Sequence, residues 1–317
     1  MKTLLRFVFI ALLCVLCMGV TKSRVLAIVP DKAGELEITY LANEGFMIAG
    51  SGKKVLIDAL FREGVAGYAV ISPATRELLE QARAPFDNVD AAFATHFHAD
   101  HFDAEAVLAH LKNNPQSFFF STNQAADKLR ATGRFEAIKT RVTAALPKEG
   151  ERFHYEHRDL RVQLLNLHHG RNRPLENLGF IVAIAGKRIL HIGDSVAEAA
   201  VFQKYEVAKE SIDVAFLPFW YFFNDDFKRA VREQIRPRHI VVMHIELDTF
   251  RSGSWQKKWA QIETEFPNAV YFAQELEKKI LTEKNMSKQF RPSFCFVLMS
   301  SMTSSKARTS KALPCAG

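Results

Sequence analysis

Thr95-His96-Phe97-His98-Ala99-Asp100-His101 places three imidazoles and one carboxylate within six residues, directly after the apolar run Ala91-Ala92-Phe93-Ala94. His96 and His98 stand two apart, so on an extended chain end their side chains point the same way. Asp100 and His101 fall at the turn that follows, and a helix-like run from Asp103 to Leu111 comes next. A fold that accommodates this stretch must end a buried strand in a turn and open a helix straight after it. Such a turn can aim two pairs of ligands at two adjacent ions. Neutral imidazole and carboxylate suit zinc, with manganese and iron as alternatives. The competing explanation is a chance cluster of surface histidines, which requires spacing, strand-end placement and nearby partners to coincide by accident.

The formal charge of +7 over 317 residues looks basic but is concentrated at the ends. Residues 1–27 carry four Lys/Arg and residues 285–317 carry five, with no acid in either. Removing those nine from 42 leaves 33 basic against 35 acidic residues in the body, 28–284, a net of −2. A nucleic-acid footprint needs a basic face, so no nucleic-acid partner is expected. Met1-Lys2-Thr3, Arg6 and the apolar run Phe7 to Val20 read as a secretory leader, which places the body in a periplasmic or extracellular compartment. Val25-Leu26-Ala27 is a poor cleavage site behind Lys22 and Arg24, so an uncleaved anchor with membrane association is the alternative. All four cysteines (Cys14, Cys17, Cys295 and Cys315) lie in the two ends, so the body offers neither a disulfide nor a thiolate ligand. The tail after Asn285 lacks periodicity and reads as poorly ordered.

Within the body, 36–41, 45–49 and 54–58 alternate as strands and form an opening meander around the Gly50-Ser51-Gly52 turn. A helix over 73–83 must stop before Pro85. Asp90 to Thr95 reads as a short buried strand, followed by helices over 103–113 and 123–132. Strands are expected near 138–143, 151–157, 160–167, 178–184 and 187–192, then a helix near 197–208. Val214 to Pro218 and His239 to Met243 are apolar strands around a helix at 225–235, before a last helix over 254–265 and the strand Ala269 to Phe272. Two runs of strands, each followed by strand–helix alternation, suggest two sheets packed face to face with helices outside. No Pro/Gly-rich linker divides the body, so it reads as one domain.

Ligand-type residues recur just after strands: His168 and His169, Asp194 in Ile192-Gly193-Asp194-Ser195, and His244. Residues beyond strand carboxyl ends gather along one sheet edge. With the histidine cluster, this order resembles the metallo-β-lactamase-fold hydrolases. Tyr40-Leu-Ala-Asn-Glu-Gly-Phe-Met-Ile48, Leu56-Ile-Asp58 and Arg188-Ile-Leu-His-Ile-Gly-Asp194 look closest to the branch with L-ascorbate 6-phosphate lactonase-like proteins. The resemblance spans roughly 36 to 275 and implies an α/β fold, a four-layer αβ/βα sandwich of two mixed sheets flanked by helices. It also implies two divalent ions, zinc first, with His96, His98 and His169 on one, Asp100, His101 and His244 on the other, and Asp194 bridging. His168 is the rival to His169, and aligning the strand 160–167 favours the last histidine before Gly170. Asp194 stands where one subclass of zinc β-lactamases carries Cys, which argues against that subclass.

Such a pair binds one water, lowers its pKa and uses the hydroxide as nucleophile on an ester, lactone, amide or phosphodiester. Asp100 is the candidate catalytic residue, accepting a hydrogen bond from the nucleophile. Asp58 and Thr95 read as turn-fixing residues behind the ligands. His191 divides evenly between supporting and core roles, His110 reads as structural, and His154, His157 and His239 as a solvated face. For a small-molecule substrate, Arg171 and Arg173 would suit an anionic group. The aromatic run Phe219 to Phe223, with Trp220 and Tyr221, would suit an apolar one, although packing explains that run as well. Two rivals keep the site and change its use: iron-dependent oxygen or thiol chemistry, and a chemically silent metal-binding protein.

Overall fold

The computed structural model describes residues 34–282 except 158 and 171–173. The leader, the basic tail, the four cysteines and the Arg171–Arg173 pair therefore lie outside the described residues. Among the described residues, fourteen strands build two seven-stranded mixed sheets. The first contains β1 (Leu36–Ala42), β2 (Gly45–Gly50), β3 (Lys53–Ile57), β4 (Ala91–Phe93), β5 (Phe118–Ser121) and β6 (Val142–Ala144). The second contains β7 (Arg152–His157), β8 (Leu160–Asn166), β9 (Leu178–Ile184), β10 (Lys187–His191), β11 (Val214–Pro218), β12 (His239–Met243) and β13 (Ala269–Tyr271). The final strand, β14 (Lys278–Leu281), returns to pair antiparallel with β1 and gives the first sheet the order β14-β1-β2-β3-β4-β5-β6. The second sheet runs β13-β12-β11-β10-β9-β8-β7. Each half opens antiparallel and turns parallel, at β3–β4 in the first sheet and at β10–β11 in the second.

Strand alternation builds the layers. In the first sheet Leu36, Ile38, Phe46, Ile48, Val55, Ile57, Ala91, Phe93 and Phe120 join one core with the second sheet. Their neighbours Leu41, Met47, Leu56, Ala92 and Phe119 join a separate core beneath the helices. Because successive side chains point to opposite faces, the inner strands β2 to β5 are apolar on both sides. The helices Pro73–Glu80, Ala104–Asn113 and Asn123–Ala131 cover that outer face, and Phe202, Tyr205 and Trp255 sit in the core on the other side of the molecule. The result is the expected αβ/βα sandwich.

Helix starts are set locally. Ser72, Asp103 and Thr122 each cap a helix by accepting from a backbone N–H, for instance Asp103 Oδ1 from Ala106 N at 2.8 Å. Such a cap contributes about 1 kcal/mol. Asp103 matters most, because it fixes where the histidine loop ends.

Several boundaries differ from the sequence expectations. The 138–143 region begins with two 3₁₀ turns, Phe135–Ala137 and Lys139–Arg141, before the short β6. The helix near 197–208 is a short α-helix, Ala199–Lys204, and a 3₁₀ turn, Val207–Glu210. The helix at 225–235 passes from α geometry into a π-helical turn at Ala230–Ile235. β5 and β14 carry no alternation signal: Phe-Phe-Phe-Ser is apolar on both faces and Lys-Lys-Ile-Leu is too short. His239 is a correction. It is buried within β12 rather than on a solvated face, because β12 lies between β11 and β13. No helix of the described residues is long and apolar enough to cross a membrane.

Candidate metal centre

The centre assembles beyond the carboxyl ends of β4, β8, β10 and β12. After β4, the backbone N–H groups of His101 and Phe102 both donate to the His98 carbonyl, at 3.1 and 2.9 Å. That turn swings Asp100 and His101 back beside His96. Behind it, Asp58 accepts from Thr95 N at 2.7 Å, from Thr95 Oγ1 at 2.8 Å and from His101 Nδ1 at 2.9 Å. Thr95 Oγ1 also lies 3.1 Å from His96 Nδ1. One buried carboxylate thus orients two imidazoles and leaves the Nε2 of each facing forward. Asp58 and His244 both hold left-handed backbone, at φ 47° and 57°. For a residue with a Cβ this costs on the order of 1 kcal/mol, strain that tends to collect at functional sites.

From the second sheet come His169, Asp194 and His244. Gly193, at φ +56°, makes the approach of Asp194 feasible, since a Cβ there would lie 2.6 Å from Thr95 Cβ and Oγ1. Asp194 offers one oxygen to each side. Its Oδ2 lies 3.1 Å from His169 Nε2 and 3.9 Å from His96 Nε2. Its Oδ1 lies 3.2 Å from His244 Nε2 and 3.4 Å from His101 Nε2. The ligand atoms of His96, His98, His169 and Asp194 fall within 4.8 Å of one another, and those of Asp100, His101 and His244 do the same. The structure therefore brings together all seven residues proposed from sequence.

The donors fit bound metal. His96 Nε2, His101 Nε2 and Asp194 Oδ1 are buried without a hydrogen-bond partner among the described residues. Buried polar atoms are ordinarily satisfied, and bound metal would supply these with a partner. Burial and then the neighbouring His101 ring hold His96 well below the usual histidine range, so it is neutral with a free lone pair. Burial pushes the His101 ring down and the Asp194 carboxyl up. Asp194 and Asp58 outweigh that effect for His101, raising it, while His101 and His244 outweigh it for Asp194, lowering it. In the absence of metal, a proton on His101 occupies the place in the charge balance that a cation would take.

The other sequence candidates separate. His168 points elsewhere, paired with Glu149 at 2.5 Å and with a side chain 42% exposed. His191 supports the floor: its Nδ1 accepts from Gly193 N at 3.2 Å, and its Nε2 donates to the Glu44 carbonyl at 3.1 Å. His110 is a core residue whose Nδ1 donates to the Leu79 carbonyl at 2.7 Å. Tyr221 is corrected as a substrate contact. It is fully buried and its hydroxyl donates to the Ala197 carbonyl at 2.9 Å, so it packs behind the centre. Trp220 stays beside it, with its ring 5.0 Å from that of His244 and Nε1 donating to the Ser195 carbonyl.

Sequence reasoning missed Asn43, Glu44 and Tyr68. Asn43 Nδ2 donates to Asp100 Oδ2 at 2.9 Å, and Glu44 is wholly buried behind His101. An asparagine and a glutamate between two apolar strands read as turn residues, and only the inward direction of the turn makes them part of the centre. Tyr68 packs edge-on against His244, ring to ring at 4.2 Å. Burial and then Glu246 push its phenol up to about 12, so it remains a hydrogen-bond donor. Tyr68 and Val65 join His98, Asp100, His169 and His244 around an open cavity of about 260 Å³.

Residues 53–250 match the family described as the beta-lactamase superfamily domain. A metal-dependent hydrolase of Pelotomaculum thermopropionicum is 26% identical over 264 residues, covering 78% of this chain and 97% of that protein. Among solved structures, the isothiocyanate hydrolase from Delia radicum gut bacteria superposes with a TM-score of 0.54 at 18% identity, over 77% of this chain and 98% of that one. CmlA, a diiron β-hydroxylase from Streptomyces venezuelae, superposes with a TM-score of 0.52 at 14% identity, over 80% of this chain and 54% of that one. At these identities the structural likeness concerns the fold.

Proposed function

The chain belongs to the beta-lactamase superfamily, and from that membership we propose a dinuclear metal-dependent hydrolase that cleaves an ester, lactone, amide or phosphodiester bond of a small molecule. The observation that carries this reading is the position of Asp194, whose two oxygens each serve one group of imidazoles. The name of the Pelotomaculum relative supports the same reaction class. His96, His98 and His169 would hold one ion, Asp100, His101 and His244 the other, and Asp194 both. Zinc is the first candidate, with manganese and iron as alternatives. Bound there, two ions would polarise the scissile group and acidify a water.

The chain's own contributions follow from the geometry. Asp100 lines the cavity, and Asn43 fixes its Oδ2, so the carboxylate is oriented to accept a hydrogen bond from an attacking water. Asp58 and Thr95 hold the His101 and His96 rings in one orientation, which avoids reorganisation during reaction. Val65, Ala99 and the Tyr68 ring give the cavity an apolar side, which suits a compact organic substrate. The lactonase-like branch and an exported location remain part of the proposal, resting on the Tyr40–Ile48 motif and the apolar run after Arg6.

The test is metal content by plasma mass spectrometry together with turnover on a lactone, an aryl ester and an aryl phosphodiester. Wild type should carry two ions per chain, and His96→Ala should lose an ion and roughly 10³-fold in kcat, the order expected when electrostatic stabilisation is removed. Unchanged metal and turnover in His96→Ala would sink the hydrolytic assignment.

A further inference from the structure

Glu44 stands apart from the seven proposed ligands. It sits in the turn joining β1 to β2, wholly buried, and neither carboxylate oxygen has a hydrogen-bond partner among the described residues. One oxygen lies 3.8 Å from His101 Nδ1. A Glu44 oxygen, a His101 nitrogen and an Asp194 oxygen all fall within 4.8 Å of one another. The turn is fixed in place. A Cβ on Gly45 would lie 2.7 Å from the Asp58 carbonyl oxygen and 2.9 Å from that of Ala42, so β2 starts hard against β3. The Glu44 carbonyl is held in addition by His191 Nε2.

An ionised carboxylate in a dry interior without a donor is strongly disfavoured. A proton removes the charge but leaves an O–H without an acceptor among the described residues. A cation does resolve it. Glu44, Asp58, Asp100 and Asp194 are four buried carboxylates, which balance the four positive charges of two divalent ions. Glu44 is also absent from the cavity lining, so it approaches from the protein side and leaves the substrate side open.

Resting on the dinuclear reading above, we propose that Glu44 is an eighth ligand, closing the buried side of the ion shared by His101 and Asp194. With Asp194 it gives that ion a second carboxylate, which tilts the position toward manganese or iron over zinc. Imidazole suits zinc, whereas carboxylate oxygens suit harder cations.

Metal-free wild type and Glu44→Gln are titrated with Mn²⁺ and with Zn²⁺, singly and in competition, and bound ions are counted by plasma mass spectrometry. Glutamine keeps the shape and removes the charge, and thermal unfolding of the metal-free variant verifies its fold. The expected result is a second Mn²⁺ bound at least about 10-fold more weakly in the variant, with zinc less affected. In the Co²⁺-loaded variant, the visible absorption of one of the two sites should change. If Glu44→Gln does not fold, Glu44→Asp reads the same property, its shorter carboxylate weakening the second Mn²⁺. Unchanged stoichiometry, Mn²⁺/Zn²⁺ preference and cobalt spectrum would overturn the ligand role of Glu44. His96→Ala separates the two claims. If it loses an ion while Glu44→Gln loses nothing, the centre stands and only the eighth ligand fails; if it keeps both ions, the centre itself fails.

Discussion

The two halves of the centre are built differently. The ligands after β4 fall within six residues of the chain and are braced from behind: Asp58 accepts from Thr95 and His101, Thr95 contacts His96, and Asn43 holds Asp100. The ligands of the second sheet come one from each strand end and lack that bracing. His169 Nδ1 and His244 Nδ1 are buried without a hydrogen-bond partner among the described residues. Within the first half, His96, Asp100 and His101 are therefore set by hydrogen bonds before any cation arrives, and the second half depends on the cation and on sheet packing to hold its rings. The cation thus makes different contributions to the order of the two halves.

The largest effect should come from the bracing itself. Asp58→Ala strands the Thr95 N–H and His101 Nδ1 in the interior, and losing one partner of a buried network costs about 3–5 kcal/mol. Thermal melts of metal-free protein should show the loss, and a drop equal to that of a surface variant would break the comparison. His169→Ala and His244→Ala come next. Without a bonded Nδ1 to strand, each should cost the metal-free protein only about 1–2 kcal/mol while abolishing most of the stabilisation that added metal gives. A large loss already present without metal would mean that this half is braced in some other way.

A pH series sharpens the contrast. In metal-free protein the folded pKa values of His101 and Glu44 both lie above their unfolded values of 6.5 and 4.5. Groups raised in this way give stability that is complete below the unfolded pKa and is lost as pH climbs through the folded one. The histidines held below their usual range, His96, His98, His110 and His191 among them, act in the opposite direction only up to about pH 7.5, so chelated protein should melt lower at pH 9 than at pH 7.5. Metal-loaded protein, whose ligands are already deprotonated, should change much less across that interval. Equal slopes would contradict the substitution of a cation for the His101 proton. The smallest effect belongs to His168→Ala. Paired with Glu149 at the surface, it should change stability by less than about 0.5 kcal/mol and leave metal content intact, in contrast to its neighbour His169.

Legibility in the sequence followed the same division. His96, His98, Asp100 and His101 declare themselves because four ligand types crowd one turn, and Asp103 marks the helix that stops it. His169, Asp194 and His244 were legible only through the rule that strand ends converge, and the choice against His168 depends on which residue the end of β8 turns inward. The strands with clean alternation, such as β1 to β3, were readable. β5 was not, because Phe118 to Ser121 lacks a polar face to set a period. Tyr221 shows the opposite failure: an aromatic run suggested a substrate wall, and burial assigned this member of it to packing.

By itself the sequence determined the alternation that makes two-faced strands, the caps that start helices, and the chemistry of the ligand set, because these depend on neighbours within a few residues. Tertiary structure alone decided that Asp194 offers one oxygen to each group of imidazoles, that Glu44 turns inward, and that Tyr68 stands against His244. Each of those facts joins positions dozens of residues apart. Their distances are set by how one sheet packs on the other, which no local pattern of side chains encodes.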